Sequence, residues 1–387
     1  MSLKTIHSLH NLKDKRVLLR LDLNVPVENG QVVDAFRIEQ SIPTVEYLRQ
    51  KGAVVIIVAH IEAEEGSSLE VVASYLRKHF PVTFIKEYWT EETKGIVENA
   101  KGGSVILFEN LRLHEEEKRN DKEFSKRLAE YGDYYVNEAF SVSHRSHASI
   151  VGLPLYLPSF IGLRFAKEIE HLSTAAALPH PFLFIIGGAK FETKLPLIEK
   201  FLGHADRVFV CGALAHDIFR FQGCEIGKST VSEVQYDFSK IINNPKVVIP
   251  TDVVVTDSHG PCVKKPQDVL HTDTIYDAGP ETITKLKTLI SEAKGILWNG
   301  PVGFCERGFK EGTIECARAI SENTTVRSIV GGGDTLAAIE ELGIIDKFSF
   351  VSTGGGAMLE FLAKGTLPGI VALKRSQRWR WLKFLLS

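Results

Sequence analysis

The stretch at 328–342, SIVGGGDTLAAIEEL, places three glycines and Asp334 between an apolar run and a helical pattern. Glycines at such a turn let backbone N–H groups approach an anion at a helix N-terminus, where the helix dipole favours negative charge. A carboxylate beside phosphates would repel them unless a cation lay between, and Mg²⁺ is the usual cation there. The turn therefore predicts a phosphate site with its metal, the alternative being an N-cap and tight turns.

Three further glycine-rich turns follow strand-like runs in the second half: GGAK at 187–190, NGPVG at 299–303 and STGGGA at 352–357. Several such turns in one domain indicate a polyphosphate ligand. Lys190 and Lys194 have the spacing of a solvated charge pair, but their position directly after a strand and a GG turn favours a role facing phosphate.

Two other phosphate-binding motifs are not supported. GCEIGKS at 223–229 resembles a P-loop, but its glycines are one residue too close and no clear strand runs into it. No G-x-G-x-x-G follows a strand, which weakens the case for a dinucleotide site.

The first half carries polar and basic residues just past its strand-like runs: Asp22, Asn24, Arg37, His60, Arg112, His144, Arg145 and His147. Arginines from distant segments can converge on one small anion as bidentate clamps, whereas each alone is more often a surface charge. A metal pair of His144 and His147 is disfavoured, because no cysteine or carboxylate cluster completes a tetrahedral set. We therefore expect a small-anion site in this half.

Short apolar runs alternate with helical patterns, which predicts βα units and parallel sheets covered on both faces. The predicted strands lie in RVLLRLDL, AVVIIVAH, SVILFEN, DYYVN, FLFIIGG, RVFVCG, VVIPTD, GILWNG, RSIVGG and FSFVSTGG. The predicted helices include SLEVVASYLRKHF, KEFSKRLAEY, TKLPLIEKFL, TLAAIEEL and AMLEFLAKG. Because ligands bind at the carboxyl ends of such strands, the polar and glycine-rich turns fall where a site is expected.

The Pro-rich GLPLYLPSF at 152–160, followed by the helical RFAKEIEHLSTAAAL, marks the best break in the chain. We expect an α/β fold of two Rossmann-like domains, each a parallel sheet with helices on both faces, joined by a connecting helix with a cleft between them. The predicted parts are a small-anion domain at 1–158, a connecting helix or hinge at 159–178, a Mg-nucleotide domain at 179–366 and a tail at 367–387.

The 387-residue chain has a formal net charge of −2, so its overall charge gives no long-range attraction to polyanions. We expect no nucleic-acid or membrane partner. The five cysteines are unpaired in spacing, and the N-terminus has no uninterrupted apolar segment, so a cytoplasmic protein with free thiols is expected.

A Mg-nucleotide domain and a small-polyanion domain, with no obvious nucleophile or base, indicate phosphoryl transfer by positioning and charge stabilisation. Such a reaction needs domain closure to exclude water.

The motif set resembles the phosphoglycerate kinase family. Matching stretches are KRVLLRLDLNVPVENGQVVDAFRI, LFENLRLHEEEKRND, YVNEAFSVSHRSHAS, GGAKFETK, LPLIEKFL, WNGPVGFCERGFKEGT, SIVGGGDTLAAI and FVSTGGGAMLEFLAKGTLPGI, within residues 3–371. The WNGP, GGGDT and STGGGA motifs together are highly specific. The resemblance implies reversible transfer of the acyl phosphate of 1,3-bisphosphoglycerate to ADP, giving ATP and 3-phosphoglycerate, in glycolysis and gluconeogenesis, by a monomer.

The resemblance also assigns roles by position. Lys194, Arg37 and Lys190 would be catalytic, with Lys194 stabilising the phosphoryl group in flight. The triose substrate would be held by Asp22, Leu23, Asn24, Arg37, His60, Arg112, His144 and Arg145. The nucleotide would be held by Lys194, Gly279, Glu306, Gly332, Gly333, Asp334, Thr335, Gly354 and Gly355, with Asp334 on the nucleotide's Mg²⁺ and Glu306 at the ribose.

Two stretches depart from the family pattern. Where the family reads S-H-L-G-R-P, this chain reads AHIEAEE: His60 stays, Ala63 replaces a clamping arginine, and carboxylates follow at Glu62, Glu64 and Glu65. Losing one charged hydrogen bond would weaken triose binding about tenfold to a hundredfold. In NEAFSVSHRSH, Ser141 replaces a glycine.

The basic, aromatic end KRSQRWRWLKFLLS is also unusual, and it would return to the first domain or form a disordered extension, a membrane or partner contact being less favoured. These departures leave one alternative function, a nucleotide-binding module that has lost efficient triose turnover. The retained Lys194 favours the enzyme, because a pure binder has little need of a charge that acts mainly in the transition state.

Overall fold

The chain divides into two compact units, Met1–Ile169 with Thr366–Ser387, and Glu170–Gly365. The computed structural model describes residues 3–62, 68–189, 191–233, 236–257 and 260–386, with the backbone alone at 257 and from 378 onward. The elements named below belong to those residues.

The first unit is built on a parallel sheet. Its strands are β1 Arg16–Arg20, the hairpin β2 Val27–Glu28 and β3 Gln31–Val32, β4 Val54–Val58, β5 Thr83–Ile85, β6 Val105–Phe108, β7 Tyr134–Asn137 and β8 Ser159–Ile161. The described strands of the sheet run in the order β5-β6-β4-β1-β7-β8. The helices are α1 Phe36–Gln50, α2 Glu70–Leu76, α3 Glu91–Glu98, α4 Glu115–Lys118, α5 Lys122–Ala129 and α6 Leu163–Ser173, the last of which continues into the second unit.

The second unit repeats the plan. Its strands are β9 Phe182–Ile186, β10 Arg207–Val210, β11 Val247–Val248, β12 Val253–Asp257, β13 Gly260–Lys264, β14 Thr274–Ala278, β15 Gly295–Asn299, β16 Arg327–Gly331 and β17 Phe350–Ser352. The parallel sheet has the order β11-β10-β9-β15-β16-β17, and β13-β12-β14 form a separate antiparallel sheet. The helices are α7 Phe191–Leu202, α8 Ala213–Phe221, α9 Ser239–Ile242, α10 Pro280–Glu292, α11 Glu311–Glu322, α12 Gly333–Glu341 and α13 Gly356–Lys364.

Continuous burial explains the central strands. All five residues of β4, VVIIV, are buried, as are those of β9 and β15. β-Branched and aromatic side chains fit a pleated surface, and burial on both faces removes the need for alternating polar residues. The central strands of the parallel sheets are therefore set by buried runs that are mostly apolar.

The predicted two-domain α/β fold is confirmed, and each of the ten apolar runs contains a strand. The expectation of parallel sheets alone missed the antiparallel sheet, because β13 alternates half-buried and exposed residues and contains glycine and proline. The Pro-rich break at 152–160 also contains the start of β8, which pairs with β7, so the first unit extends beyond 158 to Ile169.

The chain ends in helix α14, Pro368–Leu386, which belongs to the first unit. Gln377 Nε2 donates to Ser159 O at 3.1 Å, and Ser376 Oγ donates to Leu157 O at 3.2 Å. These bonds join α14 to the segment that forms β8. Within the described ranges, no single helix is long and apolar enough to span a bilayer, and one bent pair, Gly356–Lys364 with Pro368–Gln377, meets the length and composition test.

The first turn of α6 is held by a buried carboxyl from the end of β7. Glu138 Oε1 accepts the backbone N–H of Arg164 at 2.9 Å, and Glu138 Oε2 accepts that of Phe165 at 3.1 Å. The Thr44 hydroxyl also donates to Glu138 Oε1. Burial outweighs these bonds and raises the pKa of Glu138 to about 7.

This carboxyl makes stability depend on pH. The folded state keeps the Glu138 proton up to about pH 7, whereas the unfolded chain releases it near its ordinary pKa of 4.5. The stability from Glu138 is therefore fully present below pH 4.5 and falls as the pH rises toward 7. In denaturant unfolding at a series of pH values, we expect wild type to lose unfolding free energy relative to Glu138→Gln across this window. A difference that does not change with pH would contradict the assignment.

Candidate active site

The end of β1 brings two predicted residues together. Asp22 is buried, and its Oδ2 accepts hydrogen bonds from Arg37 Nη1 at 2.9 Å and from Ser141 Oγ at 2.5 Å. Arg37 lies in the first turn of α1, so this ion pair joins the start of α1 to the end of β1. The Ser141 hydroxyl supplies a bond to Asp22 that a glycine at this position could not make.

A buried arginine that the sequence analysis missed lies directly against His60. Arg20 is 1% exposed, and its Nη2 lies 3.0 Å from His60 Nδ1. Because a guanidinium can only donate, His60 Nδ1 accepts this bond and the proton of the neutral ring is on Nε2. Burial, and then the positive charge of Arg20, lower the pKa of His60 well below its ordinary value. His60 is thus a neutral donor through Nε2.

Glu117 and Ser149 complete the surroundings of Arg20. Arg20 Nε donates to Ser149 Oγ at 2.8 Å, and the buried Glu117 carboxylate accepts from Ser149 Oγ at 2.6 Å and from Ser149 N at 2.8 Å. Burial lowers the pKa of Arg20, and the charge of Glu117 opposes that shift. The one sequence signal for this network was an arginine inside the apolar strand run RVLLRLDL.

Arg112 and Arg145 form a positively charged cluster beside His147. Burial, and then the charges of Arg145 and Arg20, lower the pKa of Arg112 to about 10. Burial and the arginines also lower the pKa of His147 to about 4. Arg112 Nη2 and His147 Nδ1 are buried and have no hydrogen-bond partner in the described part of the chain. A buried guanidinium N–H without an acceptor, in an excess of positive charge, is suited to an anion that is not part of the protein.

The other predicted residues of this unit differ in their surroundings. Leu23 is fully buried. Asn24 Oδ1 accepts the backbone N–H of Glu62 at 2.7 Å. His144 Nε2 lies 3.5 Å from Arg145 Nε. The altered positions Ala63, Glu64 and Glu65 lie outside the described residues.

In the second unit, glycine loops cross at the carboxyl edge of the parallel sheet. Gly187 N donates to Asn299 O at 2.9 Å, and Gly188 N donates to Pro301 O at 3.0 Å. A Cβ at Gly300 would lie 2.3 Å from Gly187 O, and Gly188 has a φ of +77°. The loops after β9 and β15 therefore approach more closely than residues with side chains permit.

Lys194 lies over these loops. It belongs to α7, is 7% exposed, and donates from Nζ to Gly187 O. A Cβ at Gly188 would be 2.9 Å from Lys194 Nζ, so the glycine leaves room for the ammonium group. The other predicted lysine, Lys190, lies outside the described residues.

Helices α12 and α13 begin at the glycine motifs that follow β16 and β17. Gly332, the N-cap of α12, has a φ of +114°, and nothing lies within 4 Å of a Cβ built on Gly333. Asp334 is exposed in the first turn, while the buried Thr335 Oγ1 has no hydrogen-bond partner among the described residues. An open turn, helix N–H groups and an unsatisfied hydroxyl fit a phosphate with its cation.

The glycine motif STGGGA has the same arrangement at α13. Gly355 is the N-cap with a φ of +51°, and Gly354 N donates to Ser352 Oγ at 3.1 Å. The two helix starts follow neighbouring parallel strands, β16 and β17.

A cavity of about 210 Å³ opens beside the glycine loops. Its lining includes Gly188, Gly212, Phe219, Tyr276, Phe304, Glu306 and Asp334. The aromatic lining residues were missed because Phe219 and Tyr276 come from α8 and β14, which carry no motif, and Phe304 was not singled out within the stretch that follows NGPVG. Gly279 has a different constraint, since a Cβ there would lie 2.3 Å from the Asp252 carboxyl group, which caps α10.

The first α/β unit has a cluster of cationic side chains, and the second has helix starts at glycine motifs beside a cavity. This combination is typical of an enzyme that transfers phosphoryl groups. A sequence model of the family described as phosphoglycerate kinase matches residues 6–365. The phosphoglycerate kinase of Dictyoglomus turgidum is 42% identical over 97% of this chain and 100% of the relative, and that of Coprothermobacter proteolyticus is 39% identical over 96% and 99%.

Solved structures agree with these relatives. The phosphoglycerate kinase of Coxiella burnetii matches with a TM-score of 0.81 and 34% identity over 97% of this chain and 99% of that chain. The phosphoglycerate kinase of Pyrococcus horikoshii OT3 matches with a TM-score of 0.85 and 31% identity over 97% and 100%. The chain belongs to the phosphoglycerate kinase family, and the predicted kinase activity toward the carboxyl group of 3-phosphoglycerate is confirmed.

The space beneath Lys194 can be tested at Gly188. Gly188→Ala puts a Cβ 2.9 Å from Lys194 Nζ at a φ of +77°, whereas Gly223→Ala has a similar φ of +82° and nothing within 4 Å. Both variants should lose about 1–2 kcal/mol of unfolding free energy from the left-handed backbone. Only Gly188→Ala should also lower kcat, because it displaces the ammonium group. Equal kcat values in steady-state kinetics of the two variants would contradict this role of Gly188.

Proposed function

We propose that the first unit binds 3-phosphoglycerate and 1,3-bisphosphoglycerate, and that the second unit binds the nucleotide. One observation supports this division of roles: the two units differ in the groups that supply positive potential. The first unit gathers arginines and histidines with unsatisfied donors, whereas the second offers helix N-termini, glycine turns and one buried lysine. Side-chain cations suit a small compact anion, and backbone donors suit a chain of phosphates.

In this proposal the triose ligand is held by several kinds of donor. Arg112 Nη2 donates to a ligand oxygen, which would satisfy its buried N–H groups, and Arg145 adds charge from the same side of the cluster. His60 donates through Nε2 and stays neutral, so it binds an anion without adding a titrating charge. Arg37 contacts the reacting carboxyl group, and its ion pair with Asp22 orients the guanidinium.

The other proposed triose contacts are supported less directly. Asn24 and His144 border the cluster through their contacts with Glu62 and Arg145, and Leu23 is buried between Asp22 and Asn24 in sequence.

The nucleotide phosphates would lie at the first turns of α12 and α13. Gly332, Gly333 and Thr335 surround one phosphate, and the Thr335 hydroxyl gains the partner that it lacks. Gly354 and Gly355 offer N–H groups of the second helix start. Glu306, at the edge of the cavity, reaches the ribose, and Gly279 acts through the backbone beside the cavity residue Ala278.

We further propose that Mg²⁺ binds together with the nucleotide at Asp334. An exposed carboxylate in a first helical turn is a hard oxygen ligand, which fits this ion. Among the described residues, no group of three or more His, Cys, Asp and Glu side chains could hold a metal, so the phosphates and water would supply its other ligands. When bound, the ion neutralises charge on the phosphates.

Lys194 is the proposed principal catalytic residue. An ammonium group has three N–H donors, so Nζ can keep its bond to Gly187 O and also donate to an oxygen of the phosphoryl group. It would then stabilise charge that develops in the transition state. Arg37 and Lys190 are the other proposed catalytic residues.

Transfer in line requires the triose and the nucleotide to meet, so we propose that the two units close on their ligands about the connecting helix α6. We also propose a cytoplasmic monomer acting in glycolysis and gluconeogenesis. All five cysteines are free thiols, which is consistent with a reducing compartment. No feature of the described residues favours a binding module without turnover.

The role of Lys194 is tested with a control on the same helix. Lys194→Ala should lower kcat about 10²–10³-fold, because one preorganised transition-state donor is lost, while ADP binding changes little. Lys200 also donates to a backbone carbonyl, Leu362 O at 2.7 Å, so Lys200→Ala should affect stability without that loss of kcat. The assay couples ATP consumption with 3-phosphoglycerate to reduction of the product. Comparable kcat values in the two variants would refute the proposal.

The metal assignment is tested by binding rather than by turnover. Wild type should bind MgADP more tightly than ADP alone in titration calorimetry, because the carboxylate of Asp334 and the phosphates share the cation. Asp334→Asn should remove most of that difference. Glu306→Gln is the control, and it should weaken both ligands while keeping the difference between them. A difference that persists in Asp334→Asn would mean that the cation is held elsewhere.

A further inference from the structure

Glu62 lies inside the cationic cluster of the first unit. Its backbone N–H donates to Asn24 Oδ1 at 2.7 Å, which fixes the residue beside the loop after β1. Its Oε1 contacts Arg112 Nη1 and lies 3.7 Å from Arg145 Nη1. A single carboxylate oxygen is therefore shared between two guanidinium groups.

This oxygen has the chemistry of a ligand oxygen. Guanidinium groups bind carboxylate and phosphate oxygens in the same way, so the Glu62 carboxylate stands in for part of an anionic ligand. It does not satisfy the whole cluster, since the buried Arg112 Nη2 and His147 Nδ1 have no partner among the described residues. The cluster is thus partly occupied from within the chain and still offers donors to a ligand.

The two partners differ in burial. The Arg112 side chain is 9% exposed, whereas that of Glu62 is 50% exposed. Moving Arg112 would disturb a packed region, whereas Glu62 is half exposed and can turn into solvent, and the arriving anion takes its place as the counter-charge of Arg112. When an anion arrives, Glu62 is therefore the group that leaves.

We propose that Glu62 is an internal competing anion, which must release Arg112 and Arg145 before an anionic group of the triose ligand binds there. The identity of the ligand rests on the proposed function, but the competition applies to any small oxyanion. Glu62 then sets the affinity of the site. The apparent dissociation constant rises in inverse proportion to the fraction of molecules in which the arginines are released.

The test is the binding of inorganic sulfate and of 3-phosphoglycerate to the full chain, measured by calorimetry for wild type and Glu62→Gln. The change removes the charge and nearly preserves the shape. A half-exposed ion pair is weak, so we expect both dissociation constants to fall about two- to fivefold, by the same factor. Glu62→Asp keeps the charge but shortens the side chain, and it should give an intermediate value.

Kinetics and a charge control separate competition from other effects. The KM for 3-phosphoglycerate should fall in Glu62→Gln by the same factor as the dissociation constant, with a smaller change in kcat. Glu98 is exposed at the end of α3, and Glu98→Gln removes the same charge elsewhere in the unit. This control should leave sulfate binding and KM unchanged.

The outcomes distinguish the two proposals. Sulfate binding that is unchanged or weaker in Glu62→Gln would overturn the competition, because Glu62 would then only position the arginines. An equal gain in Glu98→Gln would also overturn it, since the net charge alone would explain the effect. If no variant turned over 3-phosphoglycerate, the proposed function would fail, whereas tighter sulfate binding by Glu62→Gln would still support the competition.

Discussion

The first unit depends on the burial of one positive charge. Arg20 points its guanidinium group into the end of the first sheet, where leaving it without acceptors would cost several kcal/mol. Its neighbours meet this demand: Leu21 O, Ser149 Oγ and His60 Nδ1 accept its hydrogen bonds, and Glu117 supplies the counter-charge. The tautomer of His60 follows directly from this arrangement. The anion site is thus built on a buried network that needs no ligand to define it.

The two units solve the same electrostatic problem by different means. In the first, like charges are held close together, and burial, followed by the neighbouring positive charges, lowers the pKa values of Arg112 and His147. In the second, backbone dipoles at the starts of α12 and α13 supply positive potential at glycine motifs rather than at clustered charged side chains. A charged side chain can be lost singly, whereas a glycine loop fails as a unit when one Cβ intrudes, as at Gly300.

How far the sequence predicted the structure depended on the range of the interaction. Apolar runs such as VVIIV predicted the central strands, because a strand buried on both faces is a local property of composition. The glycine motifs predicted the helix starts for the same reason. The antiparallel sheet was missed because exposed and half-buried residues alternate along β13. The sequence of this strand therefore resembles that of a loop.

The side-chain network of the first unit could not be predicted from spacing. Arg20, in β1, and Ser149, in the helical turn Ala148–Gly152, are distant in sequence and meet only in the folded unit. The contact of Glu62 with two arginines likewise depends on where three separate loops end. From the sequence, Glu62 could be recognised as a carboxylate near an expected anion site. The arginines that it contacts could not be predicted.

The segment that follows β7 serves two purposes within a few residues. Glu138 holds the first turn of α6, and Ser141 and Arg145 face Asp22 and the cationic cluster. A Cβ at Gly162 would lie 2.0 Å from Glu138 Oε2, so the glycine and the carboxyl group must be inherited together. Evolution of this chain is therefore restricted where no ligand is touched. Changes that tune the cationic cluster along this segment are open only to variants that keep the hydrogen bonds of Glu138 to the first turn of α6.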